Sequence, residues 1–246
     1  MTAISTQTFA ELVGFPSTPV DSGQNVHGTT VLALRFDGGV LTLADRRATM
    51  GNLVMYDRAE KVFAIDDTMV IAISGSFARS IEICRFLNHS LKYYRRMALN
   101  EMSTEGKLME VSRALAGNIE MAMSGIGAFI PIVAAYDKAS DKFGLYFFDG
   151  AGARFENGAY ACAGSGSERI RGVFEYLTRS KGPWDKRPLD DVLLDGLTML
   201  DIAADMDSAT GGFGKVPPIV RVLDKDGNRA IDEQSLSDAV AKVLKS

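Results

Sequence analysis

The sequence predicts an α+β fold built in layers, with helices covering the faces of sheets. Three observations carry this. The apolar periodicity switches along the chain between two and about 3.6, in the order strands, two helices, strands, two helices, strand, helix. No linker or internal repeat interrupts residues 29–246, so the blocks read as one domain. The 246 residues are 46% hydrophobic, enough for one large domain with a sizeable core or for two small ones.

Residues 1–28 are rich in Thr, Ser, Gly and Pro and show little periodicity beyond Phe9 to Val13, which reads as a flexible leader. The texture changes at Thr30. Residues 30–36 read as a strand, Asp37-Gly38-Gly39 as a hairpin turn and 40–44 as the returning strand. A polar loop spans 46–60. Strands at 62–65 and 69–73 flank an Asp66-Asp67 turn. A helix over 77–97 places Ile81, Cys84, Leu87 and Leu91 on one face, with Ile83 beside them. A second, over 104–125, repeats the spacing with Leu108, Val111, Leu115, Ile119 and Met123. Strands follow at 130–136 and 144–148, with short ones near 153–163. Helices over 168–180 and 188–206 are split by Gly182-Pro183, and Pro188 suits a first helical turn. A strand at 219–223, a turn at 225–228 and a helix over 233–244 close the chain.

Composition excludes several functions. Against 31 Asp and Glu stand 27 Lys and Arg, a net charge of −4, so there is no basic excess of the kind nucleic acid requires. The longest apolar stretch, 127–136, is about half the ~20 residues of a membrane helix. The first 28 residues hold no Lys or Arg and no sustained apolar run, unlike a secretory or mitochondrial signal, and a cytoplasmic protein is expected. Cys84 and Cys162 form no disulfide framework or metal spacing and read as buried, inert thiols. The two histidines are His27, in the leader, and His89, in a polar stretch of helix that reads as surface. This argues against Ser-His-Asp or Cys-His catalysis and against zinc hydrolysis, and neither metal nor cofactor is expected.

The chemistry begins at Gly28-Thr29-Thr30, where the leader meets a strand. A hydroxyl is a weak nucleophile and needs a base, which this chain does not offer as histidine. An α-amino group titrates near ~7.7–8.0. Cleavage before Thr29 would put such an amine on the same residue as the hydroxyl. The hairpin returns Asp45 toward Thr29, and Lys61 begins the next strand, so an Asp–Lys pair can lie beside the threonine. Taken separately, each of the two reads as a solvated turn charge.

Several runs together resemble the motifs of proteasome β-subunits, in the same order and at compatible spacings. These are Thr29-Thr30-Val31, Ala44-Asp45-Arg46-Arg47-Ala48-Thr49-Met50-Gly51-Asn52, Lys61-Val62, Ser74-Gly75-Ser76, Gly164-Ser165-Gly166-Ser167 and Asp207-Ser208-Ala209-Thr210-Gly211-Gly212. The junction His27-Gly28-Thr29-Thr30 and the run from Asp207 are most similar to the actinobacterial type. The resemblance implies the αββα sandwich of N-terminal nucleophile hydrolases and a threonine endopeptidase that degrades unfolded proteins. It implies residues 1–28 as a propeptide removed by self-cleavage and 29–246 as the catalytic domain. It implies Thr29 as nucleophile, Asp45 and Lys61 at the core of the site, Ser165, Asp207 and Thr210 around the terminal amine, and the Gly75 N–H as oxyanion donor. Where the family often has Ser, Thr210 keeps the hydroxyl. Read from their residues alone, Gly75 is equally a strand-end glycine, Gly164-Ser165-Gly166 a helix-capping loop and Asp207 a charge at a helix end. The substrate pocket implied is Ala48, Thr49, Ala59, Phe63 and Ile73, with Phe77 at its rim. The partners implied are other β-subunits in a heptameric ring, an α-subunit ring and a regulatory ATPase. The alternatives are a self-assembling bacterial relative without α-subunits, the simpler bacterial peptidase that works with an unfolding ATPase ring, and a non-catalytic ring subunit; the long leader and the run from Asp207 argue against the second, and the presence of both Thr29 and Lys61 against the third.

Overall fold

The computed structural model describes residues 28–51, 53–124, 127–214 and 216–245. His27 and the rest of the leader before Gly28 lie outside them. Two five-stranded antiparallel sheets face each other. The first has the order β10-β1-β2-β11-β12, from β1 (Thr30–Phe36), β2 (Gly39–Ala44), β10 (Tyr160–Gly164), β11 (Ile219–Asp224) and β12 (Gly227–Ala230). The second has the order β5-β6-β7-β8-β9, from β5 (Val62–Asp66), β6 (Met69–Ala72), β7 (Ile132–Asp137), β8 (Lys142–Phe148) and β9 (Arg154–Asn157).

Strand alternation builds three cores from these sheets. Val31 and Ala33 of β1 meet Val70 and Ala72 of β6 and Ile132 and Ala134 of β7 between the sheets. Leu32, Leu34 and Phe36 point the other way, under α4 (Ser167–Lys181) and α5 (Leu189–Met206), where Ile170, Phe174, Leu197 and Leu200 complete the layer. On the far side, Met69 and Ile71 of β6 and Val133 of β7 pack against α1 (Phe77–Ala98) and α2 (Thr104–Ala116) through Ile83, Leu87, Leu108 and Val111. The result is the αββα sandwich expected, with α6 (Glu233–Val243) packed on α5. Trp184, fully buried between α4 and α5, donates its indole N–H to Thr178 Oγ1 at 2.8 Å.

Four local readings are corrected. The polar loop at 46–60 contains a hairpin, β3 (Ala48–Met50) and β4 (Leu53–Tyr56), whose large side chains Met50, Leu53, Val54, Met55 and Tyr56 are exposed. With almost no buried face, it carries no core-directed alternation to read. The helix expected to run from 104 ends at Ala116. Gly117 caps it by donating its N–H to Arg113 O at 2.9 Å, and α3 (Ile119–Met123) leaves Ile119 and Met123 exposed. The α1 core face is set by Ser80, Ile83, Cys84, Leu87 and Leu91, and Ile81 is only half-buried. The turn at 225–228 opens into β12, which pairs with β11 from Asp224–Gly227 to Arg221–Ala230.

Candidate active site

The β1–β2 hairpin does what its two-residue turn dictates: Phe36 pairs with Gly39 and Val31 with Ala44, so Asp45 returns to the start of β1. There the Asp45 carboxylate is fully buried and accepts four hydrogen bonds. Oδ1 takes Thr30 N–H at 2.9 Å and Lys61 Nζ at 2.6 Å. Oδ2 takes the N–H groups of Arg47 at 2.9 Å and Gly211 at 2.8 Å. Lys61, 1% exposed, is thus held on the same oxygen as the backbone of Thr30. Burial lowers the Lys61 pKa against the raising pull of Asp45, so its proton is held less firmly than on a free lysine. Neither residue is the solvated turn charge that each reads as alone.

Thr29 is buried, and its hydroxyl donates 2.7 Å to the carbonyl of Gly28. Gly28 in turn donates its N–H to Thr49 Oγ1 at 3.0 Å.

A second network lies where β1 pairs with β10, Thr30 opposite Gly164. Asp207 Oδ2 accepts from Ser165 Oγ and from Thr210 Oγ1, each at 2.6 Å, and Oδ1 accepts from Ala209 N–H at 3.2 Å. Burial raises the Asp207 pKa, but these donors outweigh it and hold the carboxyl below its ordinary range. Thr210 spends its one hydroxyl proton on Asp207, so in its 2.7 Å contact with Thr30 Oγ1 it accepts. Gly166 N–H donates to Thr30 Oγ1 at 3.1 Å, which completes a relay from β10 through Thr30 and Thr210 to Asp207. Arg47 ties the same loop down: its guanidinium donates to Ser208 O at 3.1 Å, Thr210 O at 3.4 Å and Asp57 Oδ1 at 3.0 Å.

Gly75 follows β6 at φ +101°, opposite Phe129. The bonds flanking that bridge, Ser76 N–H to Ala128 O and Ile130 N–H to Ser74 O, leave the N–H of Gly75 unused by it. Of the five pocket positions, Thr49 and Ala59 are buried near the site, and Ala59 N–H bonds Arg46 O at 2.9 Å. Ala48 is half-buried in β3, while Phe63 and Ile73, joined by Phe77, pack in the core beneath α1. A cavity of about 210 Å³ opens beside Arg47, Asp57 and Gly211. A larger one, about 940 Å³, lies between Lys92, Arg96 and Lys138 and includes none of the site residues, so size is a poor guide to the chemistry here.

The motifs assign no role to the side chains of Arg47 and Thr30. The one signal for Thr30 is a polar residue on the Leu32–Leu34 face of β1, where an apolar one belongs. The thiols are as expected: both are buried, with Cys84 pushed up to about 12 by desolvation and Cys162 raised by the same cause. His89 is exposed.

An αββα sandwich with a threonine entering its first strand and a buried lysine–aspartate pair behind it is of the N-terminal nucleophile hydrolase type. The family described as Proteasome subunit matches residues 25–213, and the chain belongs to that family. It is similar to proteins named proteasome subunit beta from three organisms. That of Acidothermus cellulolyticus is 34% identical over 227 residues, covering 89% of this chain and 76% of the relative. That of Streptomyces griseus is 32% identical over 249 residues, covering 99% and 86%. That of Jonesia denitrificans is 34% identical over 218 residues, covering 87% and 70%. These findings make the chain a catalytic subunit of a proteasome core, a threonine peptidase by class that assembles with other subunits. Among the described residues, no helix is long and apolar enough to cross a membrane.

Proposed function

We propose that the chain is made as a precursor, cuts itself between Gly28 and Thr29, and then hydrolyses peptide bonds with Thr29 as nucleophile. The observation that carries this is the buried 2.7 Å contact between the Thr29 hydroxyl and the Gly28 carbonyl, beside the Lys61–Asp45 pair. In the uncut chain the Thr29 nitrogen is an amide and no base. Thr29 Oγ adds to the Gly28 carbonyl carbon, the C–N bond breaks, and the hydroxyl proton ends on the departing nitrogen. Water then hydrolyses the resulting ester, which frees the Gly28 carboxyl and restores the hydroxyl.

The new α-amine, with a reference pKa of ~7.7–8.0, is the general base of the mature site. Lys61 stabilises the developing alkoxide, Asp45 fixes Lys61, and Ser165, Asp207 and Thr210 orient the amine and its proton. The Gly75 N–H is the oxyanion donor, a contribution of ~2.7–4 kcal/mol where such donors have been removed. Ala48, Thr49, Ala59, Phe63 and Ile73 line the pocket for the residue before the cut.

The particle is a cytoplasmic chamber. Heptameric rings of this chain stack with α-subunit rings, and a regulatory ATPase feeds in unfolded proteins. Replacing Thr29 by Ala should abolish hydrolysis of a fluorogenic peptide in a particle of normal size. Turnover by that variant near the wild-type rate would overturn the assignment.

A further inference from the structure

The residue ahead of the proposed cut is gripped at both ends. Its carbonyl accepts the Thr29 hydroxyl, and its N–H donates 3.0 Å to Thr49 Oγ1 in a buried contact. These two groups belong to different peptide planes, joined only by the φ and ψ of Gly28. Glycine has more freedom about those bonds than any other residue, and a side chain cannot restrict it here. A Cβ on Gly28 would stand 1.9 Å from Ala209 Cβ, so the position has no room for one. Something else must therefore fix the carbonyl.

Thr49 is placed to do so. It is 6% exposed in a hairpin whose other large side chains, Met50, Leu53, Val54, Met55 and Tyr56, are all exposed. The pairing of β3 with β4 shifts register between Ala48 and Thr49, the kind of irregularity that re-aims a side chain. Its hydroxyl is the only side-chain acceptor that Gly28 N–H meets among the described residues.

We infer that the Thr49 hydroxyl is a positioning residue for self-cleavage: it pins the N–H of Gly28 and so aims the scissile carbonyl at Thr29 Oγ. It accepts a hydrogen bond and exchanges no proton. The inference rests on the proposed cut between Gly28 and Thr29, and deepens it. Cleavage removes Gly28, so this grip acts once in the life of each chain, and the hydroxyl is afterwards left free on the pocket wall.

The test follows conversion of full-length chain to chain beginning at Thr29 in assembled particles, by intact mass against time. Thr49→Val keeps the shape and removes the acceptor; Thr49→Ser keeps the acceptor. Thr49→Val should slow conversion about tenfold or more, the equivalent of one lost hydrogen bond, while Thr49→Ser stays within about threefold of wild type. Peptide hydrolysis by Thr49→Val chains expressed to begin at Thr29 should fall by a smaller factor than conversion does. Should Thr49→Val not assemble, Thr49→Ala against Thr49→Ser makes the same comparison. Conversion by Thr49→Val at the wild-type rate would overturn the inference. So would a Thr49→Ser as slow as Thr49→Val, because the lost methyl packing would then explain both. A wild-type chain cut elsewhere, or not at all, would instead defeat the cleavage site on which the inference depends.

Discussion

Lys61 and Lys107 are both buried, and each holds an aspartate oxygen at 2.6 Å. Lys107 projects from α2 to Asp66 at the end of β5 and also donates 2.8 Å to Thr68 Oγ1. Asp66 keeps 26% of its side chain exposed, so this pair clamps a helix to a turn with one side in water. At the other pair, both side chains are sealed, and Asp45 is saturated by three backbone N–H groups besides Lys61. Lys61 has three donors, and Asp45 is the one acceptor it meets among the described residues. A buried lysine is therefore not in itself a mark of function. What sets Lys61 apart is a sealed partner at the start of β1, whose remaining acceptor positions are filled by backbone N–H groups.

The largest expected effect separates the two pairs. Lys61→Ala should reduce turnover of a fluorogenic peptide about a thousandfold or more, since it removes the cation at the developing charge, and it should leave particle size unchanged. Lys107→Met should leave turnover near wild type and lower stability by about 1–3 kcal/mol, seen as an earlier thermal transition. If Lys107→Met proves as inactive as Lys61→Ala, the contrast is wrong.

A smaller effect concerns the pocket. None of Ala48, Thr49, Ala59, Phe63 and Ile73 is acidic. A Lys or Arg side chain entering would lose water without finding a carboxylate, whereas burying Leu, Phe or Tyr gains ~1.5–3 kcal/mol. Matched peptides ending in Tyr, Arg and Glu should differ in kcat/KM by about tenfold or more in favour of Tyr. Faster cleavage after Arg would show that other residues line the pocket.

The smallest effect is on pH dependence. Asp207 has its folded-state pKa below the ordinary 3.8. The native state thus binds fewer protons than the unfolded one just below that value. Its contribution is full above about 3.8 and is lost as pH falls through the lowered folded pKa. Asp207→Asn should flatten the stability curve in that acid range alone, and Thr210→Val should do so in part. A wild-type curve already flat there would remove the hydrogen-bonded carboxylate from the account.

The layers were legible because alternation in β1 and the Leu108–Val111–Leu115 spacing in α2 both face cores, and a core imposes its period on the sequence. The β3–β4 hairpin was not legible, because its apolar residues face outward. The break after Ala116 was hidden because Ile119 and Met123 continue the helical spacing beyond Gly117 and are exposed all the same. At the site, the hairpin was enough to bring Asp45 back to Thr29. The Thr49 hydroxyl and the Arg47 guanidinium act across 21 and more than 160 positions of chain, on Gly28 and on the 208–210 backbone. No local pattern encodes such contacts.

In the proposed mechanism Thr29 cuts the chain ahead of itself once, and hydrolyses peptide substrates only after it has become the first residue. Intact mass of the assembled, active wild-type particle tests it most directly. The wild-type chain should have lost residues 1–28, and Thr29→Ala should keep them in a particle of the same size. Full-length wild-type chains in a particle that turns over peptide would contradict it.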